Sequence, residues 1–403
     1  MKKIICLGLL LSFLLACSPD ENKIKIGVSE PFTGPGEFIG ERVKNGTFVT
    51  ISERPVLEED IKIGLPTLLS GTFAAAGQNM INAAELAIAE HKGNLNVKLV
   101  VEDAGCGENK GLTATKKLVE VDEVVAVIGG TCSDDTMASA QYVNEEKIPY
   151  ITPVTGGSNI DNAGEYIFRL GNADKLAGVQ PAQDFINHFN FTSAAIVTEQ
   201  REYTIDIRDH FVAEFEKLSG IVVLNEEFEP DSNDFRTLLL KIKKENPDAI
   251  VMLSQLGATG GYFVKQAREL GLEQPIVTTF TTVTNTDAQA IAGEFMEGVY
   301  FYDPDYDVNN PDWRAFLKKY KETYNTEPAI PFHAAATYDT TRIILEAIKS
   351  VGNDGEKVHD WMLEHVKDYK GFMGAFSFDE KGNTNNGFVL KQVQNGDFVE
   401  VKE

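Results

Sequence analysis

Two rhythms of apolar residues alternate along the chain from residue 60 onward. One is short and continuous, as in Ile61-Lys62-Ile63-Gly64-Leu65, Val97 to Glu102, Val124-Val125-Ala126-Val127-Ile128 and Pro149-Tyr150-Ile151-Thr152. Such runs predict strands, and the most apolar of them predict strands covered on both faces. The other rhythm sets apolar side chains three and four apart, as at Ala83, Leu86 and Ala87. It predicts helices there, in the stretch ending near Val121, and over Met137 to Asn144. The alternation resumes with strands at Ala194-Ala195-Ile196-Val197, Ile221-Val222-Val223-Leu224 and Ala249-Ile250-Val251-Met252-Leu253. Between them, helices are predicted with apolar faces at Phe211, Phe215 and Leu218, and at Leu238, Leu239 and Ile242. Strands separated by single helices pair in parallel, so the expected fold class is α/β with doubly wound parallel sheets. The tail differs: Phe376 to Gly382 and Phe388-Val389-Leu390 read as hairpin material.

The same pattern exposes an internal repeat. Ile24-Lys25-Ile26-Gly27 recurs as Ile61-Lys62-Ile63-Gly64, and at the same offset Thr33-Gly34 matches Ser70-Gly71, Gly40 matches Gly77 and Asn45 matches Asn82. Only the second copy runs directly into a further strand. The first has Thr47-Phe48-Val49-Thr50-Ile51 where a helix is due, a β-branched stretch of low helix propensity. Residues 24–59 are therefore expected to be a degenerate duplicate of the first strand-loop-helix unit, held at a sheet edge or partly loose.

Ahead of the repeat, Met1-Lys2-Lys3 is a short basic segment, Ile4 to Leu15 an uncharged apolar stretch, and Leu14-Leu15-Ala16-Cys17 follows. The apolar run is too short to cross a bilayer of about 30 Å as a helix, and with these flanks it reads as a secretory signal over 1–16. Cysteine directly after Leu-Leu-Ala resembles the lipobox of bacterial lipoproteins, which implies lipidation of Cys17. Residues 17–23 would then be a polar tether to the membrane. Cleavage there leaves about 387 residues, enough for two domains with a substantial core each.

Composition narrows the partners. Lys and Arg number 37 against 61 Asp and Glu, a net charge of −24. This charge repels phosphate backbones and no basic stripe offsets it, so no nucleic-acid partner is expected. Of four cysteines, Cys6 leaves with the signal and Cys17 is lipidated, so Cys106 and Cys132 remain in the folded body. In an exported protein two cysteines favour one disulfide over a metal site or a nucleophile. The six histidines, His91, His188 and His333 among them, form no ligand spacing and read as surface or core residues; no metal and no cofactor is expected.

Catalytic signatures are absent: there is no Gly-x-Ser-x-Gly, no Gly-x-x-x-x-Gly-Lys-Ser/Thr and no His-Glu-x-x-His. Gly257-Ala258-Thr259-Gly260-Gly261 lacks the Lys-Ser/Thr of a phosphate loop and reads as a tight turn with close helix–strand packing. The informative clusters sit at strand ends. Gly129-Gly130-Thr131-Cys132-Ser133-Asp134-Asp135-Thr136 follows Ile128, and Thr152-Pro153-Val154-Thr155-Gly156-Gly157-Ser158 follows Ile151. Both offer small hydroxyl side chains and free backbone N–H groups where open α/β sheets bind ligands. They suit a carboxylate or another small polar head group. In the alternative, Ser133 and Thr155 are simple helix N-caps.

From Asp60 to Glu403 the chain resembles the leucine/isoleucine/valine-binding proteins, type I periplasmic receptors that feed ABC importers. Ile61-Lys62-Ile63-Gly64 with Ser70-Gly71, Glu102-Asp103-Ala104-Gly105-Cys106, Gly130-Thr131-Cys132-Ser133 and Tyr150-Ile151-Thr152-Pro153 carry the likeness. Asp234-Phe235-Arg236, Asn246-Pro247-Asp248-Ala249-Ile250, Lys265 to Leu272 and Phe378-Asp379-Glu380-Lys381-Gly382 complete it. The resemblance implies two lobes joined by a three-strand hinge, over residues 60–174 with 304–372 and residues 175–303 with 373–403. It implies a Cys106–Cys132 disulfide. It also implies a ligand site with Ser133 on the carboxylate, Val154 and Thr155 around the head group, Tyr203 covering the ligand, and Gln255 facing the same cleft. Leucine-binding members carry a glutamate for the ligand's ammonium at the position of Phe280. An ammonium buried without a carboxylate would cost on the order of several kcal/mol. Asp134 could substitute, yet it would repel a carboxylate, and Phe73-Ala74-Ala75-Ala76 lacks the aromatic often found before the matching glycine. The expected function is capture of an amino acid, or a related carboxylate or amide, by lobe closure, and delivery to an ABC permease with its ATPases. The protein is expected to be a monomer with no chemistry of its own. The alternative is a ligand-sensing subunit of a membrane receptor.

Overall fold

The computed structural model describes residues 60–402, apart from 72–73, 92–94, 107, 306–309 and 385, together with two strands nearer the N-terminus. The chain divides into two units, Met1–Glu59 and Asp60–Glu403. Within the first, β1 (Phe13–Ala16) pairs antiparallel with β2 (Lys25–Val28). Cys17, the tether after it and the duplicated segment beyond Val28 lie outside the described residues.

The larger unit follows the predicted rhythm. It runs β3 (Ile61–Thr67), α1 (Ala74–Glu90), β4 (Val97–Asp103), α2 (Glu108–Glu120), β5 (Ala126–Ile128), α3 (Ser133–Glu146), β6 (Tyr150–Thr152), β7 (Ile167–Arg169) and α4 (Asp174–Asn187). Next come β8 (Ser193–Glu199), α5 (Glu202–Lys217), β9 (Ile221–Phe228), α6 (Arg236–Glu245), β10 (Ala249–Leu253), α7 (Gly257–Glu269), β11 (Ile276–Thr279), α8 (Phe280–Val283), α9 (Thr286–Ala292) and β12 (Tyr300–Pro304). Three helices follow, α10 (Pro311–Tyr324), α11 (Pro331–Val351) and α12 (Gly355–His365). Two hairpins close the chain, β13 (Tyr369–Gly371) with β14 (Gly374–Phe376) and β15 (Phe388–Gln394) with β16 (Asp397–Glu400).

These strands form two principal sheets. The first is wholly parallel, in the order β4-β3-β5-β6-β7. The second has the order β16-β15-β12-β11-β10-β8-β9; β8 to β12 are parallel, and the tail hairpin adds an antiparallel edge. Every residue of β10 is buried, as its unbroken apolar run requires of a strand covered on both faces. Phe376 ends β14 and residues 377–382 form no strand, so the tail's hairpin material makes two separate hairpins.

Helices α10 to α12 lie against the first sheet's helices. Asn79 and Asn82 of α1 both donate to the Tyr320 hydroxyl, at 3.3 and 2.8 Å, and the Ile330 N–H donates to Asn79 Oδ1 at 2.9 Å. The chain thus leaves the first sheet after Arg169, returns beside it after Pro304, and re-enters the second sheet at Phe388.

The glycine-rich Gly257–Gly261 stretch is not a turn. It forms the first turns of α7, and its missing side chains admit other helices: a Cβ on Gly257 would collide with Asn285, and one on Gly260 with Thr282. The close packing is helix on helix, which strand-based reasoning could not foresee.

Candidate functional site

Both sheets reverse their strand order once, and ligands in open α/β sheets bind beyond the strand ends at that reversal. In the first sheet the reversal lies between β3 and β5, in the second between β8 and β10. The two reversals meet at one cleft of about 90 Å³. Ser133, Val154, Thr155, Tyr203, Gln255 and Phe280 all line it.

On the first-sheet side, β5 ends at Gly129-Gly130. Gly130 has φ +43°, a left-handed conformation, and a Cβ there would run into the Thr136 hydroxyl. That turn opens α3 with Cys132 as its N-cap; the Cys132 N–H donates to Asp135 Oδ1 at 3.1 Å. Cys132 is joined to Cys106 by a disulfide, with the Cα atoms 5.6 Å apart, which pins the helix start to the loop after β4. Ser133 is therefore the first helical residue, not the cap, and it is buried. Thr155 caps no helix either. Its N–H donates to Thr152 Oγ1 at 3.2 Å, and its own hydroxyl pairs with those of Thr152 and Thr136.

On the second-sheet side, Glu199 at the end of β8 is fully buried and accepts from Arg201 Nε at 2.9 Å, Ser254 Oγ at 2.9 Å and the Gln255 N–H at 2.7 Å. One carboxylate thereby fixes the turn that presents Gln255, whose Nε2 reaches Cys106 Sγ at 3.8 Å. Tyr203 lies in the first turn of α5; burial, then the nearby Asp174 carboxyl, pushes its phenol well above the ordinary range. Phe280 starts α8 and packs edge-on against Phe332 of α11, with ring centroids 5.5 Å apart.

The sequence reading did not assign several polar residues of this cleft to it, Asn172, Asp174 and His333 among them, with Thr281, Asn285, Thr286 and Asp287 on the second-sheet side. Leu170-Gly171-Asn172-Ala173-Asp174 follows β7 and opens α4, so it carries the same strand-end signal as the two clusters that were noticed. Burial pushes the Asp174 carboxyl well above the usual carboxylate range; Asp206 and Glu202 add to this and Arg169 opposes it. His333 held no such signal. It lies near the N-terminus of α11, and burial pushes its imidazole down to about 4. Asp134 does not line the cleft.

Beside the cleft the two sides touch directly. Ser158 donates to Asp206 Oδ2 from its N–H at 3.1 Å and its hydroxyl at 2.9 Å, and that hydroxyl also lies 2.9 Å from His210 Nε2. Asn159 Nδ2 donates to Glu202 Oε1 at 3.1 Å. A histidine thus reaches a serine 52 residues before it in the sequence. The set is no nucleophile relay, because Asp206 faces the same Nε2 atom, at 3.5 Å, and does not hold Nδ1. Among the described residues no group of three or more His, Cys, Asp or Glu could hold a metal ion, and no helix is long and apolar enough to cross a membrane.

Comparison with known proteins agrees with this geometry. A family model described as periplasmic binding protein matches residues 60–397. The chain is 26% identical over 335 residues to an amino acid binding protein of Pseudomonas aeruginosa, covering 80% of this chain and 87% of that one. It is 26% identical over 355 residues to the Leu/Ile/Val-binding protein of Escherichia coli, covering 85% and 93%. Among solved structures, the branched-chain amino acid transporter substrate binding protein LivJ of Streptococcus pneumoniae, in complex with isoleucine, superposes with a TM-score of 0.76 at 26% identity, covering 86% of this chain and 100% of that one. An ABC transporter solute binding protein of R. palustris, in complex with benzoate, shares the fold with a TM-score of 0.77 at 22% identity, covering 85% and 96%. With the family match running from residue 60 to residue 397, this chain belongs to the periplasmic binding protein family.

Proposed function

We propose that the chain is an extracytoplasmic solute-binding lipoprotein that captures a small carboxylate-bearing ligand and delivers it to an ABC importer. The observation that carries this reading is the convergence of Ser133, Val154 and Thr155 from the first-sheet side with Tyr203, Gln255 and Phe280 from the second on one cleft. In this reading the ligand's carboxylate takes the Ser133 hydroxyl, the Thr155 hydroxyl and the N–H groups opening α3, where the helix dipole favours negative charge. A ligand touching both sides favours the closed arrangement, and a permease with its ATPases recognises that arrangement. The closing bodies are residues 60–174 with 304–384 and residues 175–303 with 388–402; the expected switch at 373 moves to Phe388, because β14 pairs with β13 and Asn383 bridges to Arg169. Contacts such as Ser158–Asp206 hold the rim shut.

A thermal-shift screen of amino acids, amides and small organic acids tests the reading, since a ligand at 100 times its Kd stabilises by about 2.7 kcal/mol. Ser133→Ala is expected to weaken the best ligand by about 10- to 100-fold, the worth of one hydrogen bond to a charged group. Unchanged affinity would show that the head group is held elsewhere. Export and anchoring rest on Lys2-Lys3, the apolar run and Cys17. Cys17→Ser is expected to move the protein from the membrane fraction to the soluble one, and no change in partition would overturn the anchor.

A further inference from the structure

Buried polar atoms in folded proteins almost always have partners, and a buried carboxylate needs them most of all. Asp135, in the first turn of α3, is 1% exposed and does not line the cleft itself. Its Oδ1 accepts from the Cys132 N–H at 3.1 Å, while its Oδ2 is buried with no hydrogen-bond partner. The carboxyl has no room to turn outward: a Cβ on Gly130 would come within 2.9 Å of Oδ1, and one on Gly111 of α2 would meet Asp135 Cβ. The groups facing it are acidic or neutral. Asp134 lies beside it on the same helix, the Tyr150 phenol faces it from β6, and α2 presents the Gly111 backbone. Lys110, next to Gly111, is paired with Asp103 at 3.4 Å. Burial, with Asp134 adding, pushes the Asp135 carboxyl up to about 8 against the opposing pull of the Cys132, Thr136 and Thr131 N–H groups. A neutral acid tolerates an unpartnered oxygen far better than a carboxylate does.

The place of this carboxyl gives it a bearing on the ligand. Thr131, Cys132 and Ser133 line the cleft, and Asp135 accepts from the backbone of that same turn from behind. Ionised, it would put a negative charge at the helix start whose N–H groups, in the reading above, hold the ligand's carboxylate. Two like charges at one helix N-terminus oppose each other. We infer that Asp135 is a positioning residue of the carboxylate grip that works as a neutral acid, and that its ionisation and the bound carboxylate exclude one another, coupling ligand capture to proton uptake above neutral pH. The inference rests on the carboxylate-binding reading. A bound carboxylate raises the Asp135 carboxyl further, so below about 8 the group is protonated in both the free and the liganded protein and affinity is insensitive to pH. Above that point the free protein has lost a proton that the complex keeps, and affinity falls toward about 10-fold per pH unit.

The test measures Kd by calorimetry across this range, with the common L-amino acids, 4-methylpentanoate and benzoate as probes. In the native protein the tightest of them is expected to bind about 10-fold more weakly at about pH 9 than at about pH 7, with close to one proton taken up per ligand at the higher pH. Proton uptake is read from the binding heat in buffers of different ionisation enthalpy. Asp135→Asn keeps the acceptor for the Cys132 N–H and cannot ionise. It is expected to bind within about 3-fold of the native protein at about pH 7, and at least about 5-fold tighter than it at about pH 9. Titration of a probe's own amine is common to both proteins, so the difference between their profiles isolates Asp135. Asp135→Ser, which also retains an acceptor, carries the same comparison should the asparagine variant fail to fold. Parallel pH profiles for native and variant, or a variant more than about 10-fold weaker at about pH 7, would overturn the inference while leaving the carboxylate grip intact. If no probe binds at any pH, the carboxylate reading fails and the inference falls with it.

Discussion

Gly156→Ala is expected to lower ligand affinity by at least about 100-fold. A Cβ at this position has no room, because the Asn172 carbonyl oxygen and Asp174 Oδ1 already occupy its space. The Gly156 carbonyl also accepts from the Asp174 N–H at 2.8 Å, so the two segments cannot simply draw apart. Overpacking of this kind costs about 1–3 kcal/mol of stability. The functional cost is larger, because the same loop sets Thr155 relative to Ser133 and a displacement near 1 Å defeats two-point recognition. Calorimetry with the best carboxylate ligand, alongside a melting curve, separates the two effects. Binding within a few-fold of the native protein would show that the loop yields freely and that its fit to Asn172 and Asp174 is not part of recognition.

Removing the disulfide is the second large effect. Cys106→Ser with Cys132→Ser is expected to cost about 3 kcal/mol, from the chain entropy returned when a crosslink between residues 26 apart is lost. The site should suffer as well. Cys132 is the N-cap of α3, directly before Ser133, and Gln255 reaches Cys106 from the second-sheet side. The double variant is therefore expected to unfold at lower denaturant and to bind its ligand more weakly. Saturating ligand should restore part of the difference, by mass action on the native state. A denaturation midpoint indifferent to reducing agent would show that the helix start is held without the crosslink.

The sequence was legible wherever one local rule sufficed. Continuous apolar runs such as Ala249 to Leu253 marked strands buried on both faces, and helical spacing at Ala83, Leu86 and Ala87 marked α1. Polar clusters after Ile128 and Ile151 marked ligand-facing strand ends. The same rule applied to Asn172 and Asp174, but the short strand before them, Ile167–Arg169, gave too little apolar pattern to draw notice. His333 was beyond reach for a different reason. A histidine in an apolar helix reads as core until a neighbouring element shows that it borders a cleft. The Gly257 to Gly261 stretch misled because glycine permits both a turn and close helix contact, and only Asn285 and Thr282 decide between them.

What the sequence determined by itself, then, was the order of strands and helices, the parallel sheets and the family, since each follows from short-range periodicity or from motifs contiguous in the chain. The tertiary structure alone decided which groups share the cleft and which of them lack partners. Burial and hydrogen bonding depend on segments far apart in sequence: Gly387 orients Asn172, Gly156 rests on Asp174, and Phe332 meets Phe280. For that reason the motifs could indicate a carboxylate grip at Ser133 and Thr155. That Asn172 Oδ1, Asp174 Oδ2 and His333 Nδ1 lie buried without partners emerged only once the chain had brought residues 172, 174 and 333 together.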